Sequence, residues 1–155
     1  MNASPLPPAL RAGAPYLPAG LPLPPVDRTN AGFWRAAAEG RLDVQRCTEC
    51  GAHRHPPTEG CYRCGSPEWA WDTLPGTGRV FTYTWVPEAL HPAIESAAPY
   101  NVTVVEVDGA SDEPVRLVTN VLDATSETLR VGAAVTLACD RLTDEVGLPR
   151  FRLAP

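Results

Sequence analysis

From Gly76 onward, apolar and polar positions alternate along the chain. Phe81, Tyr83 and Trp85 fall on one side of a period-two run, and Val80, Thr82, Thr84 and Val86 on the other. That is the pattern of a strand with two distinct faces. Runs of the same kind occupy residues 100–107, 115–122, 135–139 and 150–153. The intervening segments, 87–99, Asp108-Gly109, 123–132 and 140–147, carry turn chemistry. Five strands in roughly 78 residues, with no long helix between them, predict a small closed β-barrel of the five-stranded OB type; an SH3-like barrel is the rival.

Upstream the period changes. Thr29 or Asn30 can cap a short helix, Phe33, Trp34 and Ala37 supply its apolar stripe, and Gly40 suits a left-handed stop. Residues 42–46 read as a strand. The first thirty residues hold eight of the 18 prolines, which excludes a helix or central strand there and favours extended structure. Their apolar residues, Tyr16 and Leu17 among them, leave two readings: a disordered leader, or an arm that lies along a partner. The class is therefore mostly β. Its predicted parts are a Pro-rich arm over 1–28, a helix with a cysteine-bearing unit over 29–75, and a barrel over 76–155.

Charge narrows the function classes. Of 155 residues, 18 are acidic and 13 basic, and every basic residue is Arg. Residues 76–155 alone carry six Arg against eleven carboxylates. Such a surface repels a phosphate backbone, so general nucleic-acid binding is disfavoured. No stretch approaches the ~20 apolar residues of a membrane helix. Met1-Asn2-Ala3-Ser4-Pro5 has no basic region of the export-signal kind, and a cytoplasmic location is expected.

The cysteines carry the chemistry. Cys47-Thr48-Glu49-Cys50-Gly51 and Cys61-Tyr62-Arg63-Cys64-Gly65 are two Cys-x-x-Cys knuckles with ten residues between them. Without an export signal this spacing reads as a metal site rather than a disulfide framework. Two sulfurs per knuckle give four thiolates, the donor set of structural zinc, with no open position to activate water. Iron, as in rubredoxins, is the rival ion. His53 and His55 are superfluous as ligands and are expected in an exposed loop. His91 is expected to be solvated, and Cys139 to be a small buried apolar residue rather than a nucleophile. No nucleophile elbow, phosphate-binding loop or carboxylate pair beside a histidine stands out, so no catalytic residue is assigned.

Taken together, Phe33-Trp34, Gly40-Arg41-Leu42, Gln45-Arg46-Cys47, Cys50-Gly51, Pro56-Pro57, Cys61 and Cys64-Gly65-Ser66 make a recognisable set. It continues as Gly76-Thr77-Gly78-Arg79-Val80, Pro99-Tyr100, Val118-Thr119-Asn120, Val131-Gly132 and Leu148-Pro149-Arg150-Phe151. The chain resembles the domain-of-unknown-function family in which a rubredoxin-like zinc ribbon precedes an OB-fold, associated with acyl-CoA metabolism. The resemblance spans about residues 29–153 and leaves out the Pro-rich first 28.

It implies a noncatalytic accessory subunit, in a hetero-oligomer, of a thiolase-fold enzyme. That enzyme would be a lipid-transfer-protein-like aldolase cleaving a steroid side-chain acyl-CoA thioester, or an acetyl-CoA acetyltransferase. The accessory chain would help hold the complex and form the acyl-CoA channel. Only Cys47, Cys50, Cys61 and Cys64 transfer as functional positions. Partner contacts are expected at Phe33, Trp34, Tyr16 and Leu17. The alternative of another class is a nucleic-acid-binding OB module, which would need a cationic groove around Phe81, Tyr83 and Trp85.

Overall fold

The computed structural model describes residues 21–111 and 113–155, with the backbone alone at 96 and 97. Tyr16, Leu17 and the other residues before 21 lie outside the described residues.

The helix α1 runs Ala31–Ala38. Asn30 occupies its N-cap position but makes no side-chain cap bond. The start is organised one step earlier: the Asp27 carboxylate accepts the N–H groups of Thr29 and Asn30, at 2.8 and 3.0 Å, and the Asp27 carbonyl accepts that of Ala31. At the other end Gly40 has φ +80. There the N–H of Gly40 bonds Ala37 and that of Arg41 bonds Ala36, the Schellman pattern that the glycine permits.

Three strands form the cysteine-bearing sheet. Central β1 (Leu42–Cys47) pairs antiparallel with β2 (His53–Arg54) and with β3 (Trp69–Leu74). The fully buried Gln45 ties this sheet together. Its amide donates to Thr29 O, and its Oε1 accepts from Arg54 Nε and the N–H of Thr58, at 2.7 and 2.9 Å. A buried carboxamide whose oxygen and amide both find partners fixes geometry, and those bonds offset its desolvation. Gly32 lets α1 approach β3 closely, since a Cβ there would lie 2.2 Å from the Trp71 indole.

The second sheet comprises β4 (Thr77–Val86), β5 (Tyr100–Val107), β6 (Val115–Thr119), β7 (Val121–Leu122), β8 (Ala134–Arg141) and β9 (Gly147–Leu153). Its order is β6-β5-β4-β8-β9-β7, antiparallel except for the β7–β9 pair. Six strands replace the expected five because the run over 115–122 breaks at Asn120. The first half pairs with β5 and the second with β9, so no continuous ladder closes the sheet. Side chains bridge the break. Thr119 Oγ1 donates to Pro149 O at 2.7 Å, Asn101 bonds both backbone groups of Val121 at 2.9 Å, and the Asn120 amide donates to Asn101 O.

The alternation along β4 also departs from expectation. Val80 pairs with Val105, but Thr82 pairs with Val104, so Phe81 is an extra residue in a β-bulge. Before the bulge Val80 points inward; after it, Tyr83 and Trp85 do, and both pack on the core. Phe81 is left 46% exposed. The three aromatics thus do not share a face.

One core serves both sheets and the helix. Phe33, Leu42, Val44 and Leu74 join Val80, Val105, Leu117, Val121, Leu129, Val135 and Phe151 in a single buried cluster.

Candidate metal centre and adjoining cleft

The end of β1 delivers Cys47 into a tight turn that returns Cys50. The N–H of Gly51 bonds Cys47 O at 2.9 Å, and Gly51 has φ +74, a conformation that favours glycine. The second knuckle repeats this: the N–H of Gly65 bonds Cys61 O at 2.8 Å, with φ +77. The two knuckles bring all four sulfurs within 4.8 Å of one another. Sγ of Cys47 and Cys64 are 3.6 Å apart, as are those of Cys50 and Cys61. A tetrahedron of thiolates around zinc, with Zn–S near 2.3 Å, has edges of about 3.8 Å. The donor set fits that ion.

Backbone amides prepare the sulfurs. The N–H groups of Cys64 and Arg63 lower the Cys61 thiol to about 6, and that of Cys50 lowers Cys47. The N–H of Ser66 also favours the Cys64 thiolate, but burial and the neighbouring sulfurs together push Cys64 up to about 12. Four sulfurs crowded without a cation resist carrying four charges, which is the electrostatic demand a dication meets. The centre is closed, with four protein ligands and a structural role.

The two histidines between the knuckles are not in an exposed loop. His53 is 6% exposed on β2. Its Nε2 bonds Asp72 at 2.8 Å, and its Nδ1 accepts the N–H of Ser111 at 2.9 Å and faces Ser111 Oγ at 3.0 Å. Pairing with β1 carried it inside, which its place between the cysteines could not reveal. The Ser111–His53–Asp72 set mimics a hydrolytic triad. However, the Ser111 amide already occupies the Nδ1 lone pair that would take the serine proton, and Ser111 Oγ lies 3.1 Å from Gly51 O. It is a clamp between ribbon and barrel. Tyr62 adds a second tie, donating to Glu113 at 2.8 Å.

His55 packs on Phe33 with ring centroids 4.9 Å apart, and burial lowers its pKa to about 4. His91 is exposed and accepts the N–H of Ala93 at 3.1 Å. Cys139 is half-buried on β8. Burial pushes its thiol up to about 11, unsuited to a nucleophile at neutral pH.

Helix, ribbon and barrel meet at a cleft of about 280 Å³, walled by Trp34, His55, Pro56, Pro57, Val118 and Pro149. Of the expected partner residues, Trp34 and Phe33 both line this cleft. Phe33 is 4% exposed, in the core beneath it, edge-on to Trp34 at 4.9 Å. Val118 as a cleft residue escaped the sequence reading, because strand alternation does not show which outward residue faces a groove.

Two family models match the chain: "ChsH2, rubredoxin-like zinc ribbon domain" over residues 34–70 and "ChsH2, C-terminal OB-fold domain" over 71–140. The chain belongs to the ChsH2 family. That membership identifies the four-cysteine centre as a zinc ribbon. A solved structure titled "Ltp2-ChsH2(DUF35) aldolase" matches with a TM-score of 0.74 and 37% identity, covering 86% of this chain and 100% of that one. A protein of unknown function from the DUF35 family of Sulfolobus solfataricus shares the fold, with a TM-score of 0.56 at 12% identity, over 83% of this chain and 87% of that one. Among curated proteins, the "Probable enoyl-CoA hydratase alpha subunit" of Thermomonospora curvata is 38% identical over 133 residues, 86% of this chain. The ChsH2-type region seen here spans 40% of that relative's length. Among the described residues, no helix is long and apolar enough to cross a membrane.

Proposed function

We propose that this chain is a noncatalytic accessory subunit of a thiolase-fold acyl-CoA enzyme, and that the enzyme is a retro-aldolase acting on a steroid side-chain acyl-CoA thioester in the cytoplasm. The observation that carries this reading is the match to the whole ChsH2 chain of the Ltp2-ChsH2 aldolase at 37% identity. The chemistry of the described residues agrees with it. The zinc centre is closed, and the one Ser–His–Asp set is consumed as a clamp. The partner subunit would carry the reacting groups. This chain would contribute a rigid wall to the acyl-CoA channel, with Trp34 at the partner contact and Phe33 supporting it from below.

The name of the Thermomonospora relative favours a second reading, an accessory role beside a hydratase. One experiment separates them. The chain is co-expressed with the Ltp2 subunit, and the purified complex is assayed for retro-aldol cleavage and for enoyl-CoA hydration. Cleavage by the complex and by neither subunit alone is the expected result. Cleavage or hydration by this chain alone, or no complex at all, would overturn the proposal.

A further inference from the structure

The outer face of β4, β5 and β6 carries apolar side chains that no described segment covers. The bulge turns Phe81 outward beside Thr82. Thr82 lies opposite Val104, and Val104 opposite Val118, which is 73% exposed. Directly opposed residues on paired strands share a face, so these side chains form a row across three strands. Beyond β4, Val131 is 66% exposed in the turn whose Gly132 N–H bonds Val80 O at 2.8 Å. At the opposite end, Val118 is itself a wall of the Trp34 cleft. An apolar row of this kind, continuous with a groove, has the character of an interface.

Charge selects the occupant. The Arg116 guanidinium lies 3.7 Å from the Phe81 ring centroid and bonds Glu106 at 2.9 Å. Arg79 reaches Gly132 O at 3.2 Å. Arg79 and Arg116 lie directly opposite Glu106 on either side of it, so this face carries two guanidinium groups to one carboxylate, although residues 76–155 carry six Arg against eleven carboxylates. A second copy meeting it about a twofold axis would set one net positive face against another. Residues 1–20 hold Arg11 and no carboxylate, so they complement it no better.

We infer that this face receives the heterologous enzyme subunit. An apolar segment of the partner lies across Phe81, Val104 and Val118, one bulky side chain enters the cleft beside Trp34, and flanking carboxylates meet Arg79 and Arg116. The inference rests on the accessory-subunit reading and adds the surface and the chemistry that meets it. Its anchor is of the kind that dominates interface energetics, an aromatic-walled pocket at the end of an apolar patch.

The test titrates the full chain with purified Ltp2 subunit by calorimetry, using Val118→Asp, Arg116→Glu and, as a control on a different surface, Leu90→Asp (Leu90 is 83% exposed). Zinc content and circular dichroism report folding. Wild type and Leu90→Asp should bind alike, while Val118→Asp and Arg116→Glu each weaken binding at least tenfold with zinc retained. If Val118→Asp fails to fold, Arg116→Glu poses the same question at a half-exposed position. Equal binding by wild type and both face variants, or equal weakening by Leu90→Asp, would overturn this surface and leave the accessory reading standing. Absence of binding by the wild type would overturn both.

Discussion

Gly147 lies against the carbonyl of Ala37: a Cβ at this glycine would sit 2.3 Å from the carbonyl carbon and 2.5 Å from its oxygen. The first residue of β9 thereby brings helix and barrel to backbone contact. Backbone cannot move aside as a flexible side chain can, so Gly147→Ala should destabilise the fold by about 3 kcal/mol. Gly60→Ala, where nothing lies within 4 Å, should be close to neutral. Urea unfolding of both variants checks the pair.

Metal removal follows from the closed centre. The purified chain should hold one zinc atom and show no visible charge-transfer band. Cys61→Ser should lose the metal and unfold the ribbon, because binding free energy here is folding free energy. Elemental analysis and circular dichroism test this; iron in the wild type, or a folded Cys61→Ser, would contradict it.

His55 makes stability depend on pH. Burial lowers its pKa from 6.5 to about 4, so the unfolded chain binds the proton more readily than the native one. The associated stability is complete above pH 6.5 and is lost as pH falls toward 4, by about 3 kcal/mol. Thiolate release also contributes at low pH. The diagnostic quantity is therefore the difference from His55→Phe, which should narrow the change in urea midpoint between pH 7.5 and 5.

Asn101 satisfies both backbone groups of Val121 inside the barrel, and Thr103 Oγ1 donates to it at 2.8 Å. Asn101→Ala leaves a buried N–H and C=O without partners, which costs about 1–3 kcal/mol for each unmet group. Thermal unfolding should show the loss, and Asn101→Asp should recover only the bonds made by Oδ1.

Removal of residues 1–20 should leave a folded, zinc-loaded chain that binds its partner subunit at least tenfold more weakly, roughly 1.4 kcal/mol. The cut belongs before residue 21, since Asp27 organises the start of α1. Size exclusion and calorimetry with the partner decide the matter, and unchanged affinity would remove the arm from the interface.

Features fixed by neighbours in sequence were legible, and features fixed by neighbours in space were not. The knuckles announce their sulfurs because each Cys-x-x-Cys-Gly closes on its own backbone. The β5 strand, Tyr100–Val107, was readable to the residue because both its faces are patterned. By contrast, β2 and β3 become strands only by pairing with β1, and His53 is buried only as a result. The break at Asn120 was hidden too: its carboxamide competes with the ladder through partners, Asn101 and Arg150, that lie 19 and 30 positions away. Gly147 closes the turn expected over 140–147, yet it opens β9, where its close approach to the helix backbone leaves no room for a Cβ.

Phe81 is an insertion in the geometrical sense. Excise it, and Val80 opposite Val105 is followed directly by Thr82 opposite Val104, an unbroken ladder whose inward set is unchanged. The aromatic ring under Arg116 can therefore be gained or lost by a single-codon insertion or deletion without repacking the interior. On the interface inferred above, the surface offered to a partner can thus change through strand length while the inward-facing set of β4 stays the same.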